Sequence, residues 1–345
     1  MAGFIAFVAM LELLFRLLPV STATYTGYYV APDILTYPPH HEWRVTTGWD
    51  LRNPQTLRSN DHGFLAARDF HRNPQAVALI GDSYMEAAML DEADRPASQL
   101  ERALGGSRPV YALACPGTAL LDYAERVRFA SERFGIRDFV IFMEERDVEQ
   151  ALCGSGNVHS ACLDSSTLSR RNEHLPDAST AKRVLRHSAL AQYIAGQLKV
   201  EPRRLASEAF VRQTPQPAAA APAAVTDPAH GTAADLRAEQ VAEAVAGEFL
   251  RIIGTRASGR IVLIADTNRS RVQAGLPVHA PSRARFMALA RDAGLVVVDM
   301  DPRYRDHFRL SSLSLSVGPY DGHLNPLGVS LVSQAAAQAL GAAAR

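Results

Sequence analysis

A serine that closes one apolar run and a histidine near the far end of the chain are the side chains best placed for nucleophilic chemistry. Gly81-Asp82-Ser83-Tyr84 sits at the end of AVALIG (76–81). In an open parallel sheet, a strand-to-helix turn of this kind holds its hydroxyl just outside the carboxyl edge, where ligands bind. The N–H groups and dipole of the following helix favour negative charge developing there. By itself the tetrapeptide equally suits a plain helix cap. Towards the C-terminus, Asp321-Gly322-His323-Leu324-Asn325-Pro326-Leu327-Gly328 precedes a helix-like tail. A histidine on that loop reaches the same sheet edge as Ser83. Asp321, two residues earlier, is placed to orient the imidazole and stabilise its charged form. Nucleophile, base and orienting acid make up the logic of a triad. Without function, the same stretch reads as a capping turn.

The elements that must bring these residues together follow an alternating rhythm. AVALIG is a short, continuous apolar run of the kind found in buried parallel strands. A helical stretch over about 84–104 follows it, then a strand at VYALA (110–114), a Pro-Gly turn and a helix near 119–134. DFVIFM (138–143), IVLIAD (261–266) and LVVVDM (295–300) repeat the strand signature, with a helix between the last two. The final helix takes Asn325 as its N-cap and Pro326 at its first position, where proline is tolerated. The expected fold is α/β and flavodoxin-like: three α/β/α layers around a doubly wound parallel sheet of about five strands. Residues 24–75, rich in Tyr, Pro and Trp, read as a loop-rich or short-stranded layer against this domain, which spans 76–345. Residues 150–234 interrupt the rhythm as an insertion or lid. Within it, TPQPAAAAPAAVTDPAHGTAA (214–234) is low-complexity sequence unable to bury a core.

GDSY after a first strand, a glycine-bearing turn after a second, and DGHLNPLG before the last helix together resemble the blocks of the SGNH (GDSL-like) hydrolase superfamily. Asn60-Asp61-His62-Gly63-Phe64 resembles a stretch found upstream of the serine block in membrane-anchored bacterial members. The likeness spans about 60–149 and 256–343. It implies Ser83 as nucleophile, His323 as base and Asp321 as acidic partner. The family spacing of acid and base is Asp-x-x-His, whereas here it is Asp-x-His. Backbone N–H groups of Ser83 and of Gly117, in ACPGTALLDY, would form an oxyanion hole. The family's third block, Gly-x-Asn-Asp, is absent: Glu144-Glu145-Arg146-Asp147 puts Arg146 where the oxyanion asparagine belongs. A guanidinium can donate hydrogen bonds to an oxyanion or pair instead with Glu144 or Glu145. Losing one oxyanion donor costs about 3 kcal/mol of transition-state stabilisation.

The balance of 36 basic and 36 acidic side chains argues against a dedicated nucleic-acid binder. Residues 4–20, FIAFVAMLELLFRLLPV, are apolar except for Glu12 and Arg16, which share a helix face at i,i+4. Three readings compete for residues 1–23: a signal anchor, a signal peptide cleaved near Ser21 and Ala23, and a buried soluble helix. The anchor is preferred, because the basic flank of a cleaved signal is missing. His40 and His41 lack further ligands at metal-binding spacing. Cys153 and Cys162 bracket a short polar loop, either as a disulfide formed in an oxidising periplasm or as two free thiols. Cys115, in an apolar segment, reads as a small buried hydrophobe.

The resemblance and the anchor together point to an inner-membrane protein with a periplasmic catalytic domain, or a secreted one if the signal is cleaved. The expected activity is removal of a small acyl group, acetyl foremost, from an envelope or extracellular glycan. O-acyl transfer to a glycan and non-catalytic glycan binding or assembly are the competing readings. No metal or nucleotide cofactor is implied, and the sequence does not set the oligomeric state.

Overall fold

The fold, seen in a computed structural model, is described for residues 1–22, 27–157, 160–174, 179–198, 232–254, 259–318 and 321–342. The Pro/Ala-rich stretch 214–231 lies outside the described residues. Two antiparallel hairpins precede the main sheet: β1 (Tyr28–Ala31) with β2 (Ile34–Thr36), and β3 (Glu42–Thr47) with β4 (Arg52–Arg58). The 24–75 layer is therefore short-stranded. Its next turn is organised by Asn60, whose side-chain oxygen accepts the N–H groups of His62 and Phe64, both at 3.0 Å. Gly63 is needed there. It has φ +80°, and a Cβ would fall 2.0 Å from the carbonyl oxygen of Tyr37.

β5 (Val77–Gly81), β6 (Val110–Ala114), β7 (Asp138–Met143), β10 (Arg260–Ala265) and β11 (Val296–Asp299) form one parallel sheet in the order β11-β10-β7-β5-β6. Between them lie the small hairpin β8 (Ala161–Leu163) with β9 (Arg170–Asn172); β12 (Ser316–Gly318) pairs with β13 (Asp321–Leu324) near the end of the chain. Past the polar first residues Asp138 and Arg260, the central strands run apolar because both faces are covered. Alternate side chains go to opposite layers. Ala78, Ile80, Phe139, Ile141 and Leu263 join the helices Leu120–Phe134, Ala233–Ile253 and Pro281–Asp292 on one face. Val77, Leu79, Val140, Phe142 and Ile264 join Pro96–Ala103 and Pro326–Ala342 on the other. The result is the expected three-layer α/β/α fold. The chain leaves β5 for β6 on one side and returns to β7 on the other, so the strand order reverses at the carboxyl end of β5. Ser83 stands at that point.

One expected element is broken. In place of a helix over 84–104, the chain makes a single turn, Ser83–Glu86, bends at Ala87 in the left-handed region (φ +46°), makes a 3-10 turn at Glu92–Asp94 and resumes α-helix only at Pro96–Ala103. Pro96 fits the start of a helix and not its interior. The short turn leaves Ser83 at a sharp corner of the chain.

Cys153 and Cys162 are joined as a disulfide, and Cys115 is buried. The apolar N-terminal segment is a helix, Ala2–Leu17. Among the described residues, no helix is long and apolar enough to cross a membrane.

Candidate active site

Asp82 is what fixes the serine turn. Its carboxylate accepts the Tyr84 N–H at 2.8 Å and so caps the helix Ser83–Glu86, leaving the hydroxyl of Ser83 unused by the fold. Gly81 is required one step earlier, since a Cβ there would meet the Met85 side chain at 2.6 Å. At the other end of the chain, Asn325 caps the helix Pro326–Ala342 by accepting the Gly328 N–H at 2.9 Å. Its own amide donates to the carbonyls of Ser314 and Ser316, at 2.7 and 3.2 Å. This ties β13, and His323 with it, to the edge where Ser83 emerges.

The structure brings Ser83, His323 and Asp321 together. His323 Nε2 lies 2.8 Å from Ser83 Oγ, and its Nδ1 lies 2.5 Å from Asp321 Oδ1. The same carboxylate oxygen accepts the backbone N–H of His323 at 2.9 Å, so ring and backbone are oriented by one group. With Nδ1–H donating to Asp321, Nε2 is left as an acceptor facing the hydroxyl. Gly117 sits at φ +70° in the turn after β6, alongside Gly81: Ala114 pairs with Gly81 in register, and the Cys115 N–H donates to the Gly81 carbonyl at 3.3 Å. The turns carrying Ser83 and Gly117 therefore run side by side at one rim. As the first residue of a helix, Ser83 has a backbone N–H with no partner inside that helix.

Arg146 is exposed. Its backbone N–H donates to Glu144 Oε2 at 2.8 Å, and among the described residues its guanidinium makes no hydrogen bond. Asp147, the last residue of that block, is buried and accepts the Glu144 N–H at 2.8 Å, which makes it structural.

Several residues at the site carry no sequence signal as strong as the triad. Tyr84 packs its ring 4.6 Å from that of His323. Arg269 pairs with Asp266, donates to the Tyr84 hydroxyl at 3.4 Å, and donates to the carbonyl of Gly322 at 2.5 Å. It thus clamps Gly322, the residue between Asp321 and His323. Its position at the start of the short helix Arg269–Gln273, just after a core strand, was the available clue. A cleft of about 550 Å³ opens beside His323, lined by Thr46–Trp49 of the N-terminal layer, Tyr84, Gly196–Leu198 of the insertion, and Asp321–His323.

Around the turn that carries Ser83, burial shifts the acidity of several carboxyls. Burial pushes Asp82 up to about 6, partly offset by the hydrogen bond from Tyr84. Burial pushes Glu144 up to about 7, and the neighbouring Asp266 and Asp82 add to the effect. Glu86 is also driven to about 7 by burial, against the opposing pull of the Tyr37 hydrogen bond and of Arg95 and His323. Folded, Glu86 keeps its proton until near pH 7, whereas the unfolded carboxyl loses it near 4.5. Across that window the folded state binds the extra proton, so stability falls as pH rises and levels off above 7. At ~1.4 kcal/mol per pH unit the loss is on the order of 3 kcal/mol. Glu86→Gln is therefore expected to be more stable relative to the natural chain at pH 8 than at pH 4.5. Urea unfolding at the two pH values measures this, and parallel pH profiles for the two proteins would contradict it.

No protein-family model and no curated protein matches the chain. Among solved structures it is similar to a carbohydrate acetylesterase from Sinorhizobium meliloti, at 9% identity and TM-score 0.38 over 78% of this chain and 99% of that one. It is similar to a member of the lipolytic G-D-S-L family from Veillonella parvula, at 10% identity and TM-score 0.38 over 76% and 95%. A third likeness is to an arylesterase described from Agrobacterium tumefaciens, at 13% identity and TM-score 0.33 over 76% and 96%. Likenesses this distant carry no argument about chemistry, which rests on the geometry of the site.

Proposed function

We propose that this chain is a serine esterase of the SGNH type that removes a small acyl group, acetyl foremost, from an envelope or extracellular glycan. The observation that carries the reading is the relay from Asp321 Oδ1 through His323 to Ser83 Oγ, with contacts of 2.5 and 2.8 Å. Ser83 Oγ attacks the ester carbonyl as Nε2 takes its proton, and the resulting oxyanion rests on the N–H groups of Ser83 and Gly117. His323 then gives the proton to the departing sugar oxygen. Water, deprotonated by His323, attacks the acyl-serine; the acid leaves and Ser83 recovers its proton. The exposed guanidinium of Arg146 is a third donor within the same proposal, standing in for the family's asparagine.

The glycan part of the reading draws support from the cleft. Threonines, Gln197 and an exposed indole, Trp49, suit a flat ring bearing hydroxyls. Attachment to the outer face of the inner membrane is proposed from the helix Ala2–Leu17, whose Phe4, Ile5, Phe7, Leu13 and Leu17 are exposed. Room for a sugar hydroxyl in the same cleft favours acyl transfer as the second reading.

A fluorophosphonate probe tests the proposal without a guessed substrate. Mass spectrometry should find the adduct on Ser83, and its formation should be lost in His323→Ala. A chain whose Ser83 stays unlabelled at millimolar probe is not a serine esterase. Product analysis with an added oligosaccharide acceptor separates hydrolysis from transfer.

A further inference from the structure

The charge in the apolar N-terminal segment has a partner far beyond Arg16. Arg16 Nε donates to Glu12 Oε1 at 2.8 Å, as the i,i+4 spacing suggests. Glu12 Oε2 also accepts the Ser188 hydroxyl at 2.8 Å and the Leu190 N–H at 3.1 Å, while Oε1 accepts the Ala189 N–H at 3.1 Å. One carboxylate thus collects the first free N–H groups of the helix Ala189–Gln192, which continues into the turn Tyr193–Gln197. A residue later in the same N-terminal helix, Phe15, stacks on Tyr193 with ring centroids 4.3 Å apart.

From there the contacts lead to the cleft. The Tyr193 hydroxyl donates to the Trp49 carbonyl at 2.8 Å. The Gln197 amide donates to Ser21 Oγ and Thr46 Oγ1, both at 2.7 Å, and to the Thr46 carbonyl at 3.1 Å. Gly196, Gln197 and Leu198 form one wall of the space beside His323, and Thr46–Trp49 form another. Of residues 188–198 only Gln197 is buried, so no apolar core holds this wall. Its position depends on the polar contacts and on the Phe15 stack.

We infer that the N-terminal helix is a working part of the substrate cleft, with Glu12 a positioning residue that holds the 188–198 wall for substrates large enough to reach it and Trp49. A small acetyl ester needs only the triad and the oxyanion donors. A sugar ester needs the wall as well. The activity readout rests on the proposed esterase reading; the structural readout does not.

The test uses the full chain in detergent micelles, with Glu12→Ala to remove the carboxylate and Glu12→Gln to remove only its charge. Amide hydrogen exchange over 188–198 is expected to accelerate about tenfold in Glu12→Ala and less in Glu12→Gln, with 77–81 unchanged. KM for cellobiose octaacetate should rise fivefold to tenfold in Glu12→Ala at constant kcat, while p-nitrophenyl acetate turnover stays within twofold. Unchanged exchange at 188–198 overturns the inference, and so does an equal loss on both esters. A chain inert toward both esters sinks the esterase proposal alone, because the exchange comparison still decides the role of Glu12.

Discussion

Ser83→Ala is expected to lower ester turnover by about 10⁴-fold or more while leaving the protein as stable as before. The loss is large because no other group can form the acyl intermediate at that corner. Stability is spared for a reason visible in the structure. The turn is capped by Asp82, and among the described residues the only partner of the Ser83 hydroxyl is His323 Nε2. Alanine is also the better helix former at an ordinary helical position. Turnover of p-nitrophenyl acetate and a thermal melt on the same preparation measure both halves. Activity surviving within tenfold would remove Ser83 from the mechanism. A collapsed melting temperature would mean that the hydroxyl has a structural duty the contacts do not reveal.

The second large effect is expected from Asp321→Asn. Asp321 Oδ1 takes both the backbone N–H and the Nδ1 side of His323, so an asparagine carbonyl in that place can keep the ring oriented. What it cannot supply is the negative charge that stabilises the imidazolium while His323 holds the serine's proton. If the amide turns instead, its N–H donates to Nδ1 and puts the ring in the wrong tautomer. Either route lowers kcat, by on the order of 10³-fold, with little change in KM. The Ser83→Ala/Asp321→Asn double variant should be no worse than Ser83→Ala, because both residues serve a single proton relay. A loss below tenfold for Asp321→Asn, or strictly additive losses, would show that Asp321 is a capping residue and His323 is oriented by something else. With acid and histidine only two residues apart, this variant is the most informative one about how the ring is oriented.

Much of the fold was legible because it depends on short-range pattern. A strand buried on both faces carries a continuous apolar run, and Val77–Gly81, Asp138–Met143 and Arg260–Ala265 are recognisable within a residue or two for that reason. Asn325 and Pro326 mark the start of the last helix by the chemistry of its first turn. The helix expected over 84–104 failed because periodicity cannot see a chain reversal: Ala87 takes a left-handed conformation that only its surroundings impose.

The amino-acid order alone determined which residues could carry the chemistry: a serine in a capped strand-to-helix turn, and an acid and a histidine two residues apart before a helix. It also determined the sheet that would have to unite them, through the alternation of apolar runs with helices. Only the tertiary structure decided that Ser83 and His323 meet at 2.8 Å, that Arg269 clamps Gly322, and that Glu12 reaches the wall of the cleft. Those contacts join residues distant in the chain through one to three hydrogen bonds each. Such bonds leave no periodicity or composition to read, because their geometry exists only once the layers have packed.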